Sequence, residues 1–166
     1  MIQVYTGRGK GKTTAALGLA LRAAGAGLNV YICQFAKGRK CSELNSLKKL
    51  KKIKLEQFGS CCYIRKINQN DRQYALNGLL ACSKAIKSGK YDMVILDEIN
   101  IASKLKLLNS KDICVILKQA PKKTEIILTG RYASKEIMKC ADLVSEVKEI
   151  KHYFHKGIKA RKGIEF

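Results

Sequence analysis

The sequence predicts an α/β fold in which helices cover both faces of a mainly parallel β-sheet. Short apolar runs typical of buried strands, such as VYICQF and YDMVIL, alternate with stretches of helical periodicity. These stretches are long enough to form right-handed crossovers between parallel strands. With 166 residues, 46% of them hydrophobic, and a single proline, the chain is expected to form one domain spanning residues 1–166.

A glycine- and lysine-rich segment follows the first predicted strand, residues 2–5. It reads Thr6-Gly7-Arg8-Gly9-Lys10-Gly11-Lys12-Thr13-Thr14 and leads into a helix predicted over residues 13–26. Strand, loop and helix in this order are typical of a phosphate-binding loop, or P-loop, whose backbone N–H groups surround phosphate oxygens. Lys12 would offer positive charge to the phosphates, and the Thr13 hydroxyl could bind Mg²⁺. Thr6 stands where the usual pattern has glycine, so the loop is a variant form; a merely flexible basic loop is the alternative.

The other elements are predicted from apolar periodicity and from turn residues. Residues 59–70 show no clear periodicity, which suggests either a substrate-covering loop or an irregular connection. Ser110 is expected to cap the helix that ends before Pro121. Further strands are expected at residues 29–35, 53–58, 91–96, 125–128 and 143–150, and further helices at 42–50, around 75–86, from 110 and at 134–140.

Two acidic residues, Asp97 and Glu98, directly follow the apolar run YDMVIL. This arrangement resembles a Walker B segment, whose carboxylates hold Mg²⁺ directly or through water beside a P-loop. Ordinary surface acids are the alternative. Arg131 follows the strand predicted at 125–128 and could contact a phosphate, or could be a surface arginine in a turn. Together these features predict a P-loop NTPase-like (RecA-like) domain.

The chain is strongly basic, with 33 Lys and Arg against 13 Asp and Glu, a formal net charge of +20. Such a surplus attracts polyanions, including nucleic acid, nucleotides or an acidic protein. The lysines are nevertheless dispersed, and few aromatic residues interleave with the one dense run, residues 48–54. A lysine-rich solvated surface is therefore favoured over nucleic-acid binding.

The seven cysteines form no C-x-x-C pair, and their spacing suits neither a zinc site nor a disulfide scaffold. His152 and His155 lack a third ligand nearby, so hydrogen-bonding roles are favoured over metal binding. No apolar run approaches 18 residues, and no signal sequence precedes the first strand. We therefore expect a cytoplasmic protein with buried thiols and no membrane contact.

Four segments together resemble the ATP:corrinoid adenosyltransferases of the cobalamin pathway, and the resemblance runs from Gln3 to Phe166. The segments are TGRGKGKTTAALGLALRAAGAG, YDMVILDEIN, IILTGRYA and the terminal ADLVSEVKEIKHYFHKGIKARKGIEF. The resemblance implies transfer of the 5′-deoxyadenosyl group of ATP to cobalt(I) of a corrinoid, with release of triphosphate. Because cobalt(I) is itself the nucleophile, no catalytic triad is needed.

The resemblance also implies roles for individual residues. Mg²⁺ would be bound by Thr13 and Glu98 with the support of Asp97, while Arg131 would contact phosphate. Lys12, Glu98 and Arg131 are thereby the candidate catalytic residues. The ATP triphosphate would be held by Gly7, Arg8, Gly9, Lys10, Gly11, Lys12, Thr13 and Thr14.

On the corrinoid side, related enzymes use apolar or aromatic residues of a mid-chain loop to favour four-coordinate cobalt(II). Tyr63 and Ile64 are the candidates here, and Cys61 or Cys62 near the cobalt is the alternative. The resemblance further implies a homodimer and reduction by an acidic flavoprotein of the flavodoxin type.

Three other functions compete with this interpretation. The first is a RecA-like ATPase acting on nucleic acid, in which a glutamate activates water and the product is ADP. The second is a nucleoside kinase of the thymidine-kinase type, although such kinases carry a C-x-x-C zinc lobe that this chain lacks. The third is a regulator that binds ATP without turning it over.

Overall fold

The computed structural model of the chain describes residues 1–38, 41–60 and 67–165. The strands of the described part are β1 (Ile2–Thr6), β2 (Val30–Phe35), β3 (Ile53–Phe58), β4 (Met93–Asp97), β5 (Glu125–Thr129) and β6 (Leu143–Glu146). Its helices are α1 (Lys12–Gly25), α2 (Glu43–Leu47), α3 (Gln69–Lys87), α4 (Ile99–Lys104), α5 (Ser110–Lys118) and α6 (Lys135–Lys139), followed by a 3₁₀ turn at Tyr153–Lys156.

These strands form one six-stranded sheet in the order β3-β2-β4-β5-β1-β6. Every pairing between them is parallel, so the prediction of a mainly parallel α/β sheet is confirmed and extended. The β5 strand lies between β1 and β4. The loop that follows β1 and the two acids at the end of β4 therefore meet across the end of one intervening strand.

Alternating side chains of the central strands build a core on each face of the sheet. In β2, Tyr31 and Phe35 pack in the cluster that includes residues of α3, α4, α5 and α6. Ile32 of the same strand packs in the opposite cluster, against Ala16 and Ala20 of α1. Small alanines on α1 let this helix lie close to the sheet, which places its first turn next to the strand ends.

Three expectations about elements are wrong in detail. The α4 helix was not predicted, because six residues are too few to show a helical period. Asn109, not Ser110, caps α5: its side chain accepts a hydrogen bond from the Lys111 N–H, while the Ser110 hydroxyl lies 2.9 Å from that of Ser103. The last strand ends at Glu146 rather than residue 150, since it pairs with β1, whose own last residue is Thr6.

Four of the five cysteines in the described ranges are buried, and none of the five forms a disulfide, as expected for thiols. The histidines fit the predicted hydrogen-bonding roles: His155 Nε2 lies 2.6 Å from Glu149 Oε1, and His152 Nδ1 accepts from the Phe154 N–H. Within the parts of the chain that are described, none of the helices has the length and apolar character that crossing a membrane requires.

Candidate active site

The segment after β1 approaches the backbone that follows β6, and this contact explains two of its glycines. The Gly9 N–H donates to the Val147 carbonyl at 2.8 Å. A Cβ on Gly7 would lie 2.4 Å from the Val147 oxygen, and one on Gly9 would lie 2.7 Å from the Lys148 oxygen. Gly7 also has φ 98°, a conformation that disfavours side chains. The glycines therefore serve close packing as well as backbone freedom.

Thr6, which replaces the usual first glycine, ends β1 with a buried side chain. Its hydroxyl accepts a hydrogen bond from the Ala133 N–H at 3.2 Å. Through this hydrogen bond, Thr6 connects the loop after β5 to the start of the P-loop segment. This contact gives a structural reason for the variant pattern.

Lys12 begins α1 and is only 6% exposed. Its ammonium donates to the Gly9 carbonyl at 2.5 Å, so the side chain folds back over the loop. Burial lowers the pKa of Lys12; the charge of Glu98 opposes this shift and that of Arg131 adds to it. A cation is thus held inside the loop, where an incoming anion would offset its desolvation.

Asp97, the last residue of β4, is 1% exposed and accepts four hydrogen bonds. One carboxylate oxygen, Oδ1, accepts from the hydroxyls of Thr13 at 2.7 Å and Thr129 at 2.6 Å. The other, Oδ2, accepts from Gln34 Nε2 at 3.1 Å and Lys37 Nζ at 2.8 Å. Asp97, at the end of β4, therefore connects the first turn of α1 with the ends of β2 and β5.

The charge of Asp97 is matched by Lys37. Burial by itself would raise the pKa of Asp97, but the Lys37 ammonium and the hydroxyls of Thr129 and Thr13 hold that pKa below its ordinary value. Burial likewise opposes the charge of Lys37, yet Asp97 and then Glu43 raise the pKa of Lys37. Asp97 and Lys37 are therefore both ionised at neutral pH.

Glu98 takes a left-handed backbone conformation with φ 62°, immediately before α4. Its N–H donates to the Thr129 hydroxyl at 3.0 Å, which fixes the turn. Burial and the neighbouring Asp97 charge raise the pKa of Glu98, and this shift is opposed by Lys37, Lys12 and Arg131. No residue of the described ranges donates a hydrogen bond to the Glu98 carboxylate. Its oxygens are thus available to a ligand.

Thr13 and Glu98 suit a hard cation such as Mg²⁺. The Thr13 hydrogen is used toward Asp97, so the lone pairs of the hydroxyl oxygen remain available. A hydroxyl and a carboxylate are oxygen donors of the type Mg²⁺ prefers, with phosphates and waters completing its shell. Asp97 already accepts four hydrogen bonds and is better suited to orienting Thr13.

The remaining predicted residues take varied positions. Arg131 is exposed and follows Gly130, whose carbonyl accepts from Asn100 Nδ2 at 3.2 Å. Arg8 and Thr14 are also exposed, and the Lys10 ammonium contacts the C-terminal segment rather than the loop interior. Tyr63 and Ile64, like Cys61 and Cys62, lie outside the described residues.

Sequence reasoning missed Gln34, Lys37 and Thr129, although all three contact Asp97. Lys37 lies on the polar loop after β2, at the carboxyl end of the sheet where ligands of α/β folds bind. That location was the available signal. No periodicity singles out Gln34 or Thr129, because both belong to strands that are buried along their length.

Comparison with known proteins bears on what this site does. A family model described as "ATP:corrinoid adenosyltransferase BtuR/CobO/CobP" matches residues 1–166. A corrinoid adenosyltransferase of Sinorhizobium sp. is 33% identical over 177 residues, covering 100% of this chain and 80% of that protein. The corrinoid adenosyltransferase CobA of Salmonella typhimurium is 34% identical over 174 residues. A corrinoid adenosyltransferase of Escherichia coli K12 is 31% identical over 167 residues. Each of these two alignments covers 100% of this chain and 85% of the relative.

These matches do not support the alternative of a RecA-like ATPase acting on nucleic acid. They agree with the resemblance carried by the four sequence segments, and they cover the strands, the P-loop segment and the C-terminal segment alike. The chain belongs to the ATP:corrinoid adenosyltransferase family of enzymes.

Proposed function

We propose that this protein transfers the 5′-deoxyadenosyl group of ATP to cobalt(I) of a corrinoid and releases inorganic triphosphate. The observation that carries the proposal is the cluster of Lys12, Thr13, Asp97 and Glu98 where β1 and β4 end, in a chain that matches the family from residue 1 to 166. The electron pair of cobalt(I) forms the bond to C5′. The bond between C5′ and the triphosphate oxygen breaks, and its electrons leave with the triphosphate.

The chain's part in this reaction is to position ATP and to stabilise the leaving group. The backbone of residues 7–11 would surround the triphosphate, and Lys12 would place its buried ammonium against the growing charge. Thr13 and Glu98 would hold Mg²⁺, which neutralises part of the triphosphate charge when bound. Arg131 would reach a phosphate from the loop after β5.

Asp97 and Lys37 would orient this machinery without touching the reacting atoms. By accepting from Thr13, Asp97 fixes the direction of the Thr13 oxygen, and Lys37 keeps the Asp97 carboxylate ionised. Such supporting contacts set the geometry of metal-binding oxygens. This division of tasks requires no general base, in keeping with a nucleophile supplied by the corrinoid.

On the corrinoid side, we propose that Tyr63 and Ile64 favour the four-coordinate cobalt species. A homodimer and a cytoplasmic location, where thiols stay reduced, also belong to this proposal. An acidic reduced flavoprotein would deliver the electron that produces cobalt(I), and the +20 charge suits such a partner.

The docking surface for that flavoprotein would lie away from the dense lysine run at 48–54. This run leads into the amino end of β3, whereas the P-loop segment lies at the carboxyl ends of the parallel strands. A six-residue strand spans roughly 20 Å. Exposed lysines after β6, such as Lys148 and Lys156, share the end of the sheet that holds the site. Flavoprotein-coupled reduction that is insensitive to ionic strength would remove support for this partner.

The reaction is tested by incubating the protein anaerobically with Mg-ATP and a chemically reduced cobalt(I) corrinoid. The expected result is a light-sensitive adenosylcorrinoid, followed by absorbance, together with an equal amount of triphosphate. Formation of ADP instead, increasing with added DNA or RNA, would overturn the proposal.

A further inference from the structure

The C-terminal segment, residues 149–165, carries a polar cluster that binds the outer side of the P-loop segment. Lys10 Nζ donates to Glu165 Oε1 at 2.7 Å and to the Tyr153 hydroxyl at 2.8 Å. The Tyr153 hydroxyl donates to the same Glu165 oxygen, and Arg161 contacts both Glu165 oxygens through its side chain and its N–H. Residues 10 and 165, which are 155 positions apart in sequence, are thus joined directly.

A second contact joins the same two parts of the chain through the backbone. The Gly9 N–H donates to the Val147 carbonyl, and the Gly9 Cα packs against Lys148 with no room for a Cβ. Lys10 is the next residue. The P-loop segment is therefore held from outside at two consecutive residues, once by main chain and once by a side chain.

The Glu165 carboxylate of this cluster faces two cations, Lys10 and Arg161. Hydrogen bonds from Arg161, Lys10 and Tyr153 lower the pKa of Glu165, and those with Glu165 and then Tyr153 raise the pKa of Lys10. Both partners are ionised at neutral pH. Lys10 is 39% exposed, so the ion pair adds little to overall stability, and its effect is to fix where the Lys10 side chain lies.

The two lysines of the loop point to different sides. Lys12 is buried and its ammonium lies over the Gly9 carbonyl, inside the loop. Lys10 is directed outward and is occupied by two acceptors from the C-terminal segment. The sequence motif alone makes both lysines candidates for phosphate, whereas the geometry gives them different partners.

We propose that Glu165 is a positioning residue for ATP binding: by holding the Lys10 ammonium, it keeps the P-loop backbone in the shape that receives the triphosphate. The proposal rests on the proposed function for the identity of the nucleotide. In this arrangement Lys10 is not a phosphate ligand but a tether, which links the P-loop segment to the C-terminal segment. ATP binding and docking of the C-terminal segment are then coupled, each favouring the other.

A competing arrangement predicts the opposite change in ATP affinity when Glu165 is neutralised. If Glu165 merely occupies Lys10 until a phosphate displaces it, neutralising Glu165 would free the lysine and tighten ATP binding. If Glu165 is a tether, neutralising it would weaken ATP binding. The affinity of Glu165→Gln for ATP therefore decides between the two.

The experiment measures the affinity for Mg-ATP by calorimetry in the full-length wild type, Glu165→Gln, Lys10→Met and the double variant. Each single variant is expected to weaken binding by at least about fivefold, the lower end of typical couplings. The double variant should be no weaker than the weaker single one, because both substitutions break the same contact. Glu136→Gln, the same chemical change at a charged side chain on the exposed surface of α6, should bind as wild type does.

Turnover and proteolysis supply readouts that a general loss of structure would not produce. In Glu165→Gln the KM for ATP should increase, while the KM for the corrinoid and kcat at saturating ATP stay within about twofold of wild type. Mg-ATP should slow tryptic cleavage after Arg161 in wild type but not in Glu165→Gln. Unchanged or tighter ATP binding by Glu165→Gln would overturn the proposal. Because ATP binding is measured directly, the outcome is independent of whether the wild type adenosylates corrinoids.

Discussion

The Thr13 hydroxyl donates a hydrogen bond to Asp97 Oδ1 at 2.7 Å, joining the start of α1 to the end of β4 across the intervening strand β5. The same oxygen accepts from Thr129, which ends β5. The Asp97 carboxylate thus sets the position of Thr13 relative to Glu98, the residue that follows Asp97. The consequences of changing these residues follow from this arrangement.

Replacing Asp97 with asparagine should destabilise the protein by about 3 kcal/mol, since removing one partner of a buried ion pair leaves Lys37 poorly compensated. Denaturant unfolding monitored by circular dichroism measures this loss. Lys37→Met together with Asp97→Asn should cost less than the sum of the two single changes. Strict additivity would show that Asp97 and Lys37 do not act as a pair.

Lys12→Ala should reduce adenosyl transfer by at least about 100-fold, because it would remove the cation that we propose faces the departing triphosphate. The assay is the initial rate of adenosylcorrinoid formation at saturating substrates. Lys122→Ala, which removes an exposed lysine after α5, should keep wild-type activity. Retention of full activity by Lys12→Ala would contradict the assignment of the P-loop.

Glu98→Gln should raise the Mg²⁺ concentration needed for half-maximal activity by at least about tenfold, since an amide is a weaker ligand than a carboxylate. The rate is measured against Mg²⁺ at fixed ATP. Glu136→Gln provides the control for the chemical change. An unaltered Mg²⁺ dependence in Glu98→Gln would mean that another group binds the cation.

Gly7→Ala should abolish ATP binding, because its Cβ would collide with the Val147 carbonyl and φ 98° disfavours alanine. Gly18 on α1 is the matched control: no atom lies within 4 Å of a Cβ there, and alanine favours helix. Gly18→Ala should therefore stabilise the protein by up to about 1 kcal/mol. Thermal unfolding and ATP affinity, measured on both variants, separate the two effects.

The reactivity of Cys114 should depend steeply on pH. Burial, and then the nearby Cys140 thiol, raise the pKa of Cys114 to about 12. At pH 8 the thiolate fraction of Cys114 would therefore be far smaller than the roughly one in four of an ordinary cysteine. Alkylation of the native protein, followed by peptide mass spectrometry, should accelerate about tenfold per pH unit between pH 8 and 10. A plateau above pH 9 would contradict the raised pKa.

Much of the sheet and part of the site follow from the sequence because their signals are local. Buried strands such as β2 and β4 are continuous apolar runs, and the P-loop and acidic segments have characteristic spacing. Hydrogen bonds between distant strands have no such signature. The links from Lys37 to Asp97 and from Thr6 to Ala133 depend on the order of strands, which no motif specifies.

The same limit applies to the C-terminal segment. Its sequence is characteristic enough to carry the family resemblance, but nothing in it indicates that Glu165 contacts Lys10. The error at α5 has a similar cause. Asn109 and Ser110 are both good helix caps, and the Ser110 hydroxyl forms a hydrogen bond with that of Ser103 while Asn109 caps the helix.

The position of β1 in the sheet has a consequence for folding kinetics. Although it comes first in the chain, β1 pairs with β5 and β6, and the Gln3 amide bonds to Glu125, 122 residues later. Contacts of such long range are slow to form, because the chain must close a large loop before they stabilise anything. Helices such as α3 can form early from neighbouring residues, whereas the P-loop must wait for the last two strands. A refolding chain is therefore expected to regain most of its helical circular dichroism before it regains the capacity to bind a nucleotide.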